Sequence, residues 1–334
     1  MNIAVVARMF GLNPSTLFYW YKEHLSDYQE DKSSGIFPNK TLICANEDTG
    51  EIIKDLPVPI LKPENIGKKM HIDDKAINHD GYTILSNGDT NKIAMMVETT
   101  KGEELKKVMS LFDKKTLAKI EYISSDMSPT YLNLCQEKIP TAQISIDKFH
   151  VMQYVYDTVL DVQSWTRKKL SKKLTKGKQK TEKDKEILKQ IELLKRCRLR
   201  LTQSPEKWSD ATKEMMAQIF KKHRKLKTAY LLSQDFKNWY NIKNYNNKER
   251  ENKTKIKTLL MHWYDKVNIS KIKDFNSVIK MIKKHETEIL NYFTCGHTNA
   301  NAEALNANIQ RFVSNNYGAK NKDFSIYRIA GYFA

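Results

Sequence analysis

The sequence has few cysteines and no long apolar segment. Its four cysteines, Cys44, Cys135, Cys197 and Cys295, are far apart and form no CxxC pair, so neither a zinc finger nor a disulfide framework is expected. No stretch reaches the roughly 18 consecutive apolar residues of a membrane span. The N-terminus also lacks the basic start and apolar run of a signal peptide. These absences exclude a membrane protein and a small secreted scaffold, and we expect an intracellular protein in a reducing compartment.

The composition points to a globular protein with an anionic partner. Hydrophobic residues make up 40% of the 334 residues, which is enough to build a core, and the length predicts two or three domains at about 100 to 200 residues each. Lysine and arginine number 57 against 39 acids, for a net charge of +18. A surplus of this size attracts polyanions and repels itself without them. Nucleic acid is therefore the first partner to expect.

The first 24 residues predict two short helices. Apolar residues recur at helical spacing over 3–24, with an interruption at Gly11-Leu12-Asn13-Pro14. Small Ala7 allows two helices to approach, Gly11 permits a tight turn, and Leu17 faces inward from the second helix. This pattern is typical of a DNA-binding helix-turn-helix and also of an ordinary helical hairpin. In the first interpretation a groove is faced by Ser15, Thr16, Phe18 and Tyr19.

The next segments change from a proline-rich stretch to alternating strands and helices. Residues 31–68 hold four prolines and a candidate hairpin with strands at 41–45 and 51–54. Short apolar or β-branched runs separated by turn residues then predict a three-stranded meander at 71–77, 82–86 and 92–98. The expected elements that follow are a helix at 102–112, a strand at 120–124, a helix at 129–137 capped by Ser128, and a strand at 143–146. This order predicts a mixed α/β fold.

Beyond His150 the sequence is mainly helical and strongly basic. One helical face is shared by Val151, Val155, Val159 and Val162, and another by Ile187, Ile191 and Leu194. Residues 167–200 hold 15 basic and 4 acidic side chains, a net charge of +11. Such runs are usually solvated helix faces, but a surplus this one-sided favours a surface that lies against phosphates. The candidate DNA-binding residues here are Arg167, Lys168, Lys169, Lys172, Lys173, Lys221, Lys222, Arg224 and Lys225.

Four tryptophans of the helical region have two possible roles. They either pack in a core, which aromatic residues at helical spacing usually do, or stack on an unpaired base. These residues are Trp165, Trp208, Trp239 and Trp263.

Three acidic residues are placed by the predicted elements where they can meet. Asp73 lies in the first strand of the meander, Asp126 directly follows the fourth strand, and Glu303 lies on a late helix between small residues. Taken singly, each acid is an ordinary strand, turn or helix residue. If the first and fourth strands are neighbours, as in a ribonuclease-H-like sheet, their acids lie side by side and a packed helix adds the third. That arrangement would hold two Mg²⁺ ions for phosphoryl transfer.

Four strings of residues carry a resemblance to a known family. They are Ile72-Asp73-Asp74-Lys75, Ser125-Asp126-Met127-Ser128-Pro129-Thr130-Tyr131, Asp147-Lys148-Phe149-His150-Val151 and Asn301-Ala302-Glu303-Ala304-Leu305-Asn306. Together they resemble the insertion-sequence transposases of the ISL3 family, especially its ISAon-like branch, over residues 68–333. That family is similar in fold to ribonuclease H and carries a helical insertion between the second Asp and the Glu. An insertion of this kind fits the 177 positions that separate Asp126 from Glu303.

The resemblance implies a role for each matching residue. Asp73, Asp126 and Glu303 match the catalytic, metal-binding acids of a Mg²⁺-dependent enzyme, with Mn²⁺ as a substitute. Asp74 is the alternative if the strand register is shifted by one residue. Asp147 would either help the metal site or order the sheet, and His150 would either contact a phosphate or cap the next helix.

The resemblance also implies partners and a location. The partners are the double-stranded DNA of the transposon terminal repeats and of the target, bound by a homodimer or larger assembly. We expect a cytoplasmic protein associated with the bacterial nucleoid, with no membrane and no small-molecule substrate. Many family members have a cysteine-rich, zinc-binding N-terminus, whereas only Cys44 precedes the catalytic region here. The helix-turn-helix is therefore the candidate for recognising the ends, and a further DNA-binding portion encoded separately or lost remains open.

The combined interpretation divides the chain into five parts. They are a helix-turn-helix module at 1–30, a linker with a β-hairpin at 31–68, the first part of a ribonuclease-H-like core at 69–160, a basic helical insertion at 161–290, and a returning core helix with a C-terminal segment at 291–334. We expect a DDE transposase that cuts the ends of an insertion sequence and joins them to target DNA. Two alternatives stay open: a structure-selective DNA nuclease without strand transfer, and a non-catalytic DNA-binding repressor derived from a transposase.

Overall fold

The structure is a computed structural model that describes most of the chain. The described residues are 3–45, 52–77, 79–174, 181–242, 249–295, 300–315 and 321–334, and within them the side chains of 45, 53, 249–253, 294–295, 300–303 and 315 are not described. The chain divides into two units. Unit 1 comprises residues 1–147 and 295–334, and unit 2 comprises residues 148–294.

Unit 1 is built on a mixed six-stranded sheet. The strands in chain order are β1 (Lys40–Ala45), β2 (Ile52–Val58), β3 (Ile60–Leu61), β4 (Lys69–Ile77), β5 (Asp80–Asn87), β6 (Ile93–Val97), β7 (Tyr122–Ser125) and β8 (Gln143–Ile146). Strands β1 and β2 pair antiparallel as a separate two-stranded sheet, and the large sheet has the order β3-β6-β5-β4-β7-β8. Strands β4, β5 and β6 form the predicted antiparallel meander, while β7 and β8 run parallel to β4. The prediction of a mixed α/β fold is thus confirmed.

Helices cover both faces of the large sheet. The helices of unit 1 are α1 (Ile3–Met9), α2 (Pro14–Glu23), α3 (Tyr28–Ser33), α4 (Gly102–Met109), α5 (Lys114–Leu117), α6 (Pro129–Lys138), α14 (Ala300–Asn315) and α15 (Lys322–Phe333). Neighbouring residues of a strand face opposite sides. Accordingly, Leu85 of β5 lies in the core cluster with α4 and α6, whereas Ile84 lies in the cluster with α14 and α15. All five residues of β6 are buried because both of its faces are covered.

The N-terminal helices share a core with the C-terminal helix. Helix α1 ends at Met9 and is followed by a turn at Gly11, whose φ of +65° favours glycine, and Leu12 N–H donates to the carbonyl of Ala7 at 2.8 Å. Ala7 is fully buried, as its small size predicts. Phe18 packs edge-on against Phe324 of α15, with ring centroids 5.6 Å apart. The prediction that Phe18 faces an open groove is therefore wrong, because its ring helps to bury Phe324.

Polar contacts also join the two ends of unit 1. The hydroxyl of Tyr327 donates to Oδ2 of Asp31 at 2.8 Å, and Lys32 forms an ion pair with Asp323 at 2.8 Å. These contacts add directional bonds to the aromatic packing between the N-terminal helices and α15.

The described residues of unit 2 form helices joined by short loops, with no strand among them. Its helices are α7 (Lys148–Ser171), α8 (Glu182–Arg196), α9 (Asp210–Lys222), α10 (Arg224–Tyr240), α11 (Glu249–Ser270), α12 (Phe275–Lys284) and α13 (Glu286–Cys295), of which the last residue belongs to unit 1. The two predicted helical faces are confirmed, since all seven of their Val, Ile and Leu residues are buried. Helix α8 starts with a capping box in which Thr181 and Asp184 satisfy each other's backbone N–H groups.

Several element boundaries differ from the sequence expectations. Helix α4 ends at Met109 and the chain starts a new helix, α5, because the side chain of Asp113 accepts the N–H of Thr116 at 2.8 Å. Strand β7 extends to Ser125 through its pairing with β4. Ser128 takes the N-cap position of α6 but makes no capping hydrogen bond with its side chain.

Candidate active site

Two of the predicted acids occupy neighbouring positions on adjacent strands. Strands β4 and β7 run parallel, and Ile72 lies opposite Ser125. The residue after each of these is an acid: Asp73 continues β4, and Asp126 directly follows the end of β7. The expectation that these two strands are neighbours is confirmed, and this adjacency brings the two carboxylates to one edge of the sheet.

A third acid continues the same row. Strand β8 pairs parallel with β7, and Ser125 lies opposite Ile146. The backbone N–H of Asp147 donates to the carbonyl of Ser125 at 2.8 Å, and the residue is 7% exposed. Asp73, Asp126 and Asp147 thus take successive places across three parallel strands.

Helix α14 packs against β4 at the position of Asp73. Asn306 Nδ2 donates to Oδ2 of Asp73 at 2.8 Å, and the backbone N–H of Asp74 donates to Oδ1 of the same carboxylate at 2.9 Å. Asp74 is exposed and occupies the other face of the strand. It is therefore Asp73, rather than Asp74, that contacts α14.

Glu303 belongs to α14, but its side chain is not among those described. Its position precedes Asn306 by three residues, and residues at this spacing share a helix face. Asn306 has no role predicted from the sequence, although its spacing of three from Glu303 indicates that it lies on the same side of the helix. Among the described side chains no group of three or more Asp, Glu, His and Cys residues is placed to hold a metal ion.

The loop after β7 holds Asp126 through local hydrogen bonds. Oδ1 of Asp126 accepts the backbone N–H of Ser128 at 2.7 Å, and the hydroxyl of Ser125 donates to the carbonyl of Asp126 at 2.9 Å. Pro129 then starts α6, where its missing N–H costs nothing. This turn orients one carboxylate oxygen toward the backbone.

A buried tyrosine lies within electrostatic reach of the acids. Thr83 donates its single hydroxyl hydrogen to the carbonyl of Thr99 at 2.6 Å, so in its 3.1 Å contact with Tyr131 the tyrosine is the donor. Burial raises the pKa of the Tyr131 phenol well above its usual range, and the charges of Asp74, Asp126 and Asp73 raise it further. Tyr131 therefore remains neutral.

A layer of buried polar residues lies two positions before the acids. His71, Ser124 and Ser145 are opposite one another on β4, β7 and β8, and each is at most 5% exposed. Because side chains alternate along a strand, this layer shares a face with the acids. A Cβ atom at Gly88 would lie 2.8 Å from Nε2 of His71, so the close approach of His71 requires glycine there. This layer was not predicted from the sequence.

The other predicted site residues lie outside the row of acids. Ser15, Thr16 and Tyr19 are exposed on α2. His150 lies in the first turn of α7, in unit 2, where its ring contacts that of Phe149 edge-on at 5.6 Å.

The predicted basic residues of unit 2 are mostly exposed. Arg167 is half-buried, and the exposed members are Lys168, Lys169, Lys172, Lys173, Lys221, Lys222, Arg224 and Lys225. Two of them form ion pairs within the unit, Lys222 with Glu186 and Lys225 with Asp274, the latter at 2.7 Å.

The four tryptophans of unit 2 divide into two classes. Trp208, Trp239 and Trp263 are at most 9% exposed and donate their indole N–H groups to the backbone carbonyls of Arg200, Ile256 and Leu232, respectively. Trp165 is 61% exposed.

Comparison with known proteins identifies the family. A family model described as "Transposase", of the ISL3 type of DDE transposases, matches residues 70–329, which is more than half of the chain. No curated protein and no solved structure matches the chain. In the part of the chain that the structure describes, no helix combines the length and hydrophobicity needed to cross a membrane. The row of acids at 73, 126 and 147 and the helix containing Glu303 all fall within the matched range, and the chain belongs to the ISL3 family of DDE transposases.

Proposed function

We propose that this chain cuts the ends of an insertion sequence and joins them to target DNA by metal-dependent phosphoryl transfer. The observation that supports this most directly is the adjacency of Asp73 and Asp126 on parallel strands, under the helix that contains Glu303. The strand order β6-β5-β4-β7-β8, with an antiparallel meander followed by two parallel strands, supports a ribonuclease-H-like core. We also assign the chain to the ISAon-like branch of the family.

The donor set at this edge suits a divalent cation. DDE transposases generally use divalent metal ions, and carboxylate oxygens are the ligands that Mg²⁺ and Mn²⁺ prefer. Asp73, Asp126 and Glu303 would hold two such ions. When bound, the ions supply charge stabilisation at the phosphoryl oxygens and lower the pKa of an attacking water or 3'-hydroxyl.

The surrounding side chains position the acids. Asn306 fixes one oxygen of Asp73, and the backbone N–H of Ser128 fixes one oxygen of Asp126, which limits rotation of both carboxylates. Asp147 would support the same edge from β8. His150 would contact a phosphate or cap α7.

DNA binding would use two groups of residues. The pair α1 and α2 would act as a helix-turn-helix with Ser15, Thr16 and Tyr19 facing the ends of the element. The basic residues of unit 2 would lie along phosphates, consistent with the net charge of +18. Because two ends are cut and joined together, a dimer or larger assembly would act on DNA in the cytoplasm, at the nucleoid.

The test is a cleavage and joining assay with DNA that carries the flanking sequences of the element, in the presence of Mg²⁺. Asp73→Asn, Asp126→Asn and Glu303→Gln are each expected to lower cleavage by about 100-fold or more, because each removes a charged ligand. Asp74→Asn is the matched control on the other face of β4 and is expected to retain cleavage. Loss of cleavage in Asp74→Asn with retention in Asp73→Asn would show that Asp74, rather than Asp73, is the catalytic acid of β4.

Further arms of the assay separate the alternatives. Ends supplied with a free 3'-hydroxyl would be joined by a transposase and left unjoined by a structure-selective nuclease. Specific binding by the native protein without cleavage in Mg²⁺ or Mn²⁺ would identify a DNA-binding repressor. Full cleavage by Asp126→Asn would overturn the proposed site.

A further inference from the structure

We propose that a groove in unit 2, at the C-terminal end of α7, binds single-stranded nucleic acid by stacking an unpaired base on Trp165. The groove has a volume of about 840 Å³. It is lined by Trp165, Arg167, Lys168, Lys169, Lys172 and Lys225, among others. Its residues belong to unit 2, whereas the row of acids belongs to unit 1, and the inference rests on the proposed function only in taking nucleic acid as the polyanion.

The spacing of the groove residues places an aromatic ring and three cations on one helix face. Lys168, Lys169 and Lys172 follow Trp165 by three, four and seven positions, which is the repeat of a single helix face. The helical hydrogen bonding continues to Lys172, whose N–H donates to the carbonyl of Lys168 at 3.1 Å. The three ammonium groups thus follow the ring along the helix axis.

Trp165 differs from the other tryptophans of unit 2 in its exposure. It is 61% exposed, whereas the other three are at most 9% exposed and have their indole N–H groups bonded to carbonyls of the unit. Exposing a large aromatic ring to water is unfavourable, so an exposed tryptophan within a basic groove points to a ligand that covers it. Nζ of Lys168 lies 5.1 Å from the centre of this ring.

The charge of the groove selects an anionic ligand. Five basic side chains line it against one acid, Asp274, and that acid is paired with Lys225 at 2.7 Å. The basic side chains of α7 are therefore available to bind phosphates. The hydroxyls of Thr166 and Ser171 donate to carbonyls of their own helix, so they do not supply base-specific donors.

The combination of ring and cations favours a single strand over a duplex. A flat indole stacks on the face of a base, and base faces are accessible only where the base is unpaired, while lysines neutralise the adjacent phosphates. A duplex would use the lysines and leave the ring unused. Because hydroxyl and amide donors are not directed into the stacking position, we expect binding with little base preference.

The proposal is tested by fluorescence anisotropy in EDTA, with a labelled oligothymidylate of about 20 nucleotides and a duplex of equal length. Trp165→Leu is expected to weaken binding of the single strand by about 10-fold or more and binding of the duplex by less than about 2-fold. Tyr154→Leu is the matched control, since Tyr154 is an exposed aromatic residue on the same helix outside the groove. It is expected to change neither affinity.

Two further measurements complete the test. Quenching of tryptophan fluorescence by the oligothymidylate is expected in the native protein and is expected to be smaller in Trp165→Leu. Replacing Lys168, Lys169 and Lys172 together by Ala is expected to weaken both substrates and to lower the salt dependence of binding. Circular dichroism checks that each variant remains folded.

Defined outcomes would overturn the inference. An equal loss of affinity for single strand and duplex in Trp165→Leu, or no loss of affinity for either, would show that Trp165 does not stack on a base. Binding to phosphatidylserine vesicles that depends on Trp165, with unchanged oligothymidylate affinity, would assign the groove to a lipid surface. Because these assays contain no metal and measure no cleavage, they stay informative if the proposed catalytic site fails its own test.

Discussion

Asn306 on α14 donates a hydrogen bond from Nδ2 to Oδ2 of Asp73 on β4, at 2.8 Å. The two residues are 233 positions apart in sequence, so this bond joins the last part of the chain to the strand on which the site is built. It also leaves the carboxylate of Asp73 with a hydrogen bond at each oxygen, because Oδ1 accepts the N–H of Asp74. A carboxylate held at both oxygens has little freedom to rotate away from a ligand.

Removal of this bond is expected to lower activity without unfolding the protein. In Asn306→Ala, Asp73 loses its contact with α14, and we expect cleavage to fall by about 10- to 100-fold, as for other residues that orient metal ligands. Asn308→Ala is the matched control, because Asn308 is exposed on the same helix. Cleavage rates and far-ultraviolet circular dichroism of both variants check the prediction, and equal rates in the two would contradict it.

The packing of α14 is expected to depend on Ile309. Its side chain is fully buried in the cluster that contains Ile84, Met96 and Phe324. Ile309→Ala is expected to lower the free energy of unfolding by about 2–5 kcal/mol, because it removes buried methyl groups and leaves a cavity. Exposed Gln310→Ala is expected to change it by less than about 0.5 kcal/mol. Urea unfolding measures both, and a similar stability of the two variants would show that α14 is not anchored through Ile309.

Two buried thiols are expected to resist alkylation. Burial raises the pKa of Cys135 and of Cys197 to about 12, so near pH 8 almost none of either thiol is ionised in the folded protein. Iodoacetamide is therefore expected to leave both unmodified in the native state and to modify both in guanidinium chloride. Mass spectrometry of tryptic peptides separates the individual cysteines. Rapid modification of Cys135 in the native protein would show that α6 opens readily.

Stability is expected to fall as the pH is lowered below neutrality. Burial lowers the pKa of His223 and of His285, and the neighbouring Lys222 and Lys284, respectively, lower it further. The unfolded state then binds protons at a higher pH than the folded state. The free energy of unfolding therefore decreases as the pH falls from the ordinary histidine pKa through the lowered one.

A double variant isolates this effect. His223→Gln with His285→Gln removes both groups, and a flatter dependence of the unfolding free energy on pH is expected between neutrality and mild acid. Thermal unfolding at several pH values measures the slope for the native protein and for the variant. Identical slopes would show that groups other than His223 and His285 cause the acid sensitivity.

The sequence was sufficient to predict an element where residues within that element determine its ends and its buried face. The strand at 143–146 matches β8 at both ends, and the buried valines of α7 follow the predicted helical face. Asp73 and Asp126 come side by side because β4 and β7 pair in parallel, which is the adjacency expected for a ribonuclease-H-like sheet.

The features that were missed depend on distant partners. Strand β3 has only two residues and exists through its pairing with β6. From the sequence alone, Phe18 could lie on either face of α2. Its orientation is determined by packing against Phe324, which lies more than 300 residues later in the chain. The contact between Asn306 and Asp73 has the same origin, since the two residues are 233 positions apart and their contact depends on how α14 packs against β4.

The interleaving of unit 1 and unit 2 along the chain has a consequence for biosynthesis. Unit 1 needs residues 295–334 to cover the face of its sheet that carries Ile84 and Met96, yet these residues leave the ribosome after all of unit 2. A nascent chain therefore carries an uncovered apolar face from the time β6 emerges until α14 and α15 have emerged as well. Such a surface is a binding site for chaperones and a source of aggregation. Loss of α14 and α15 would leave that face permanently open.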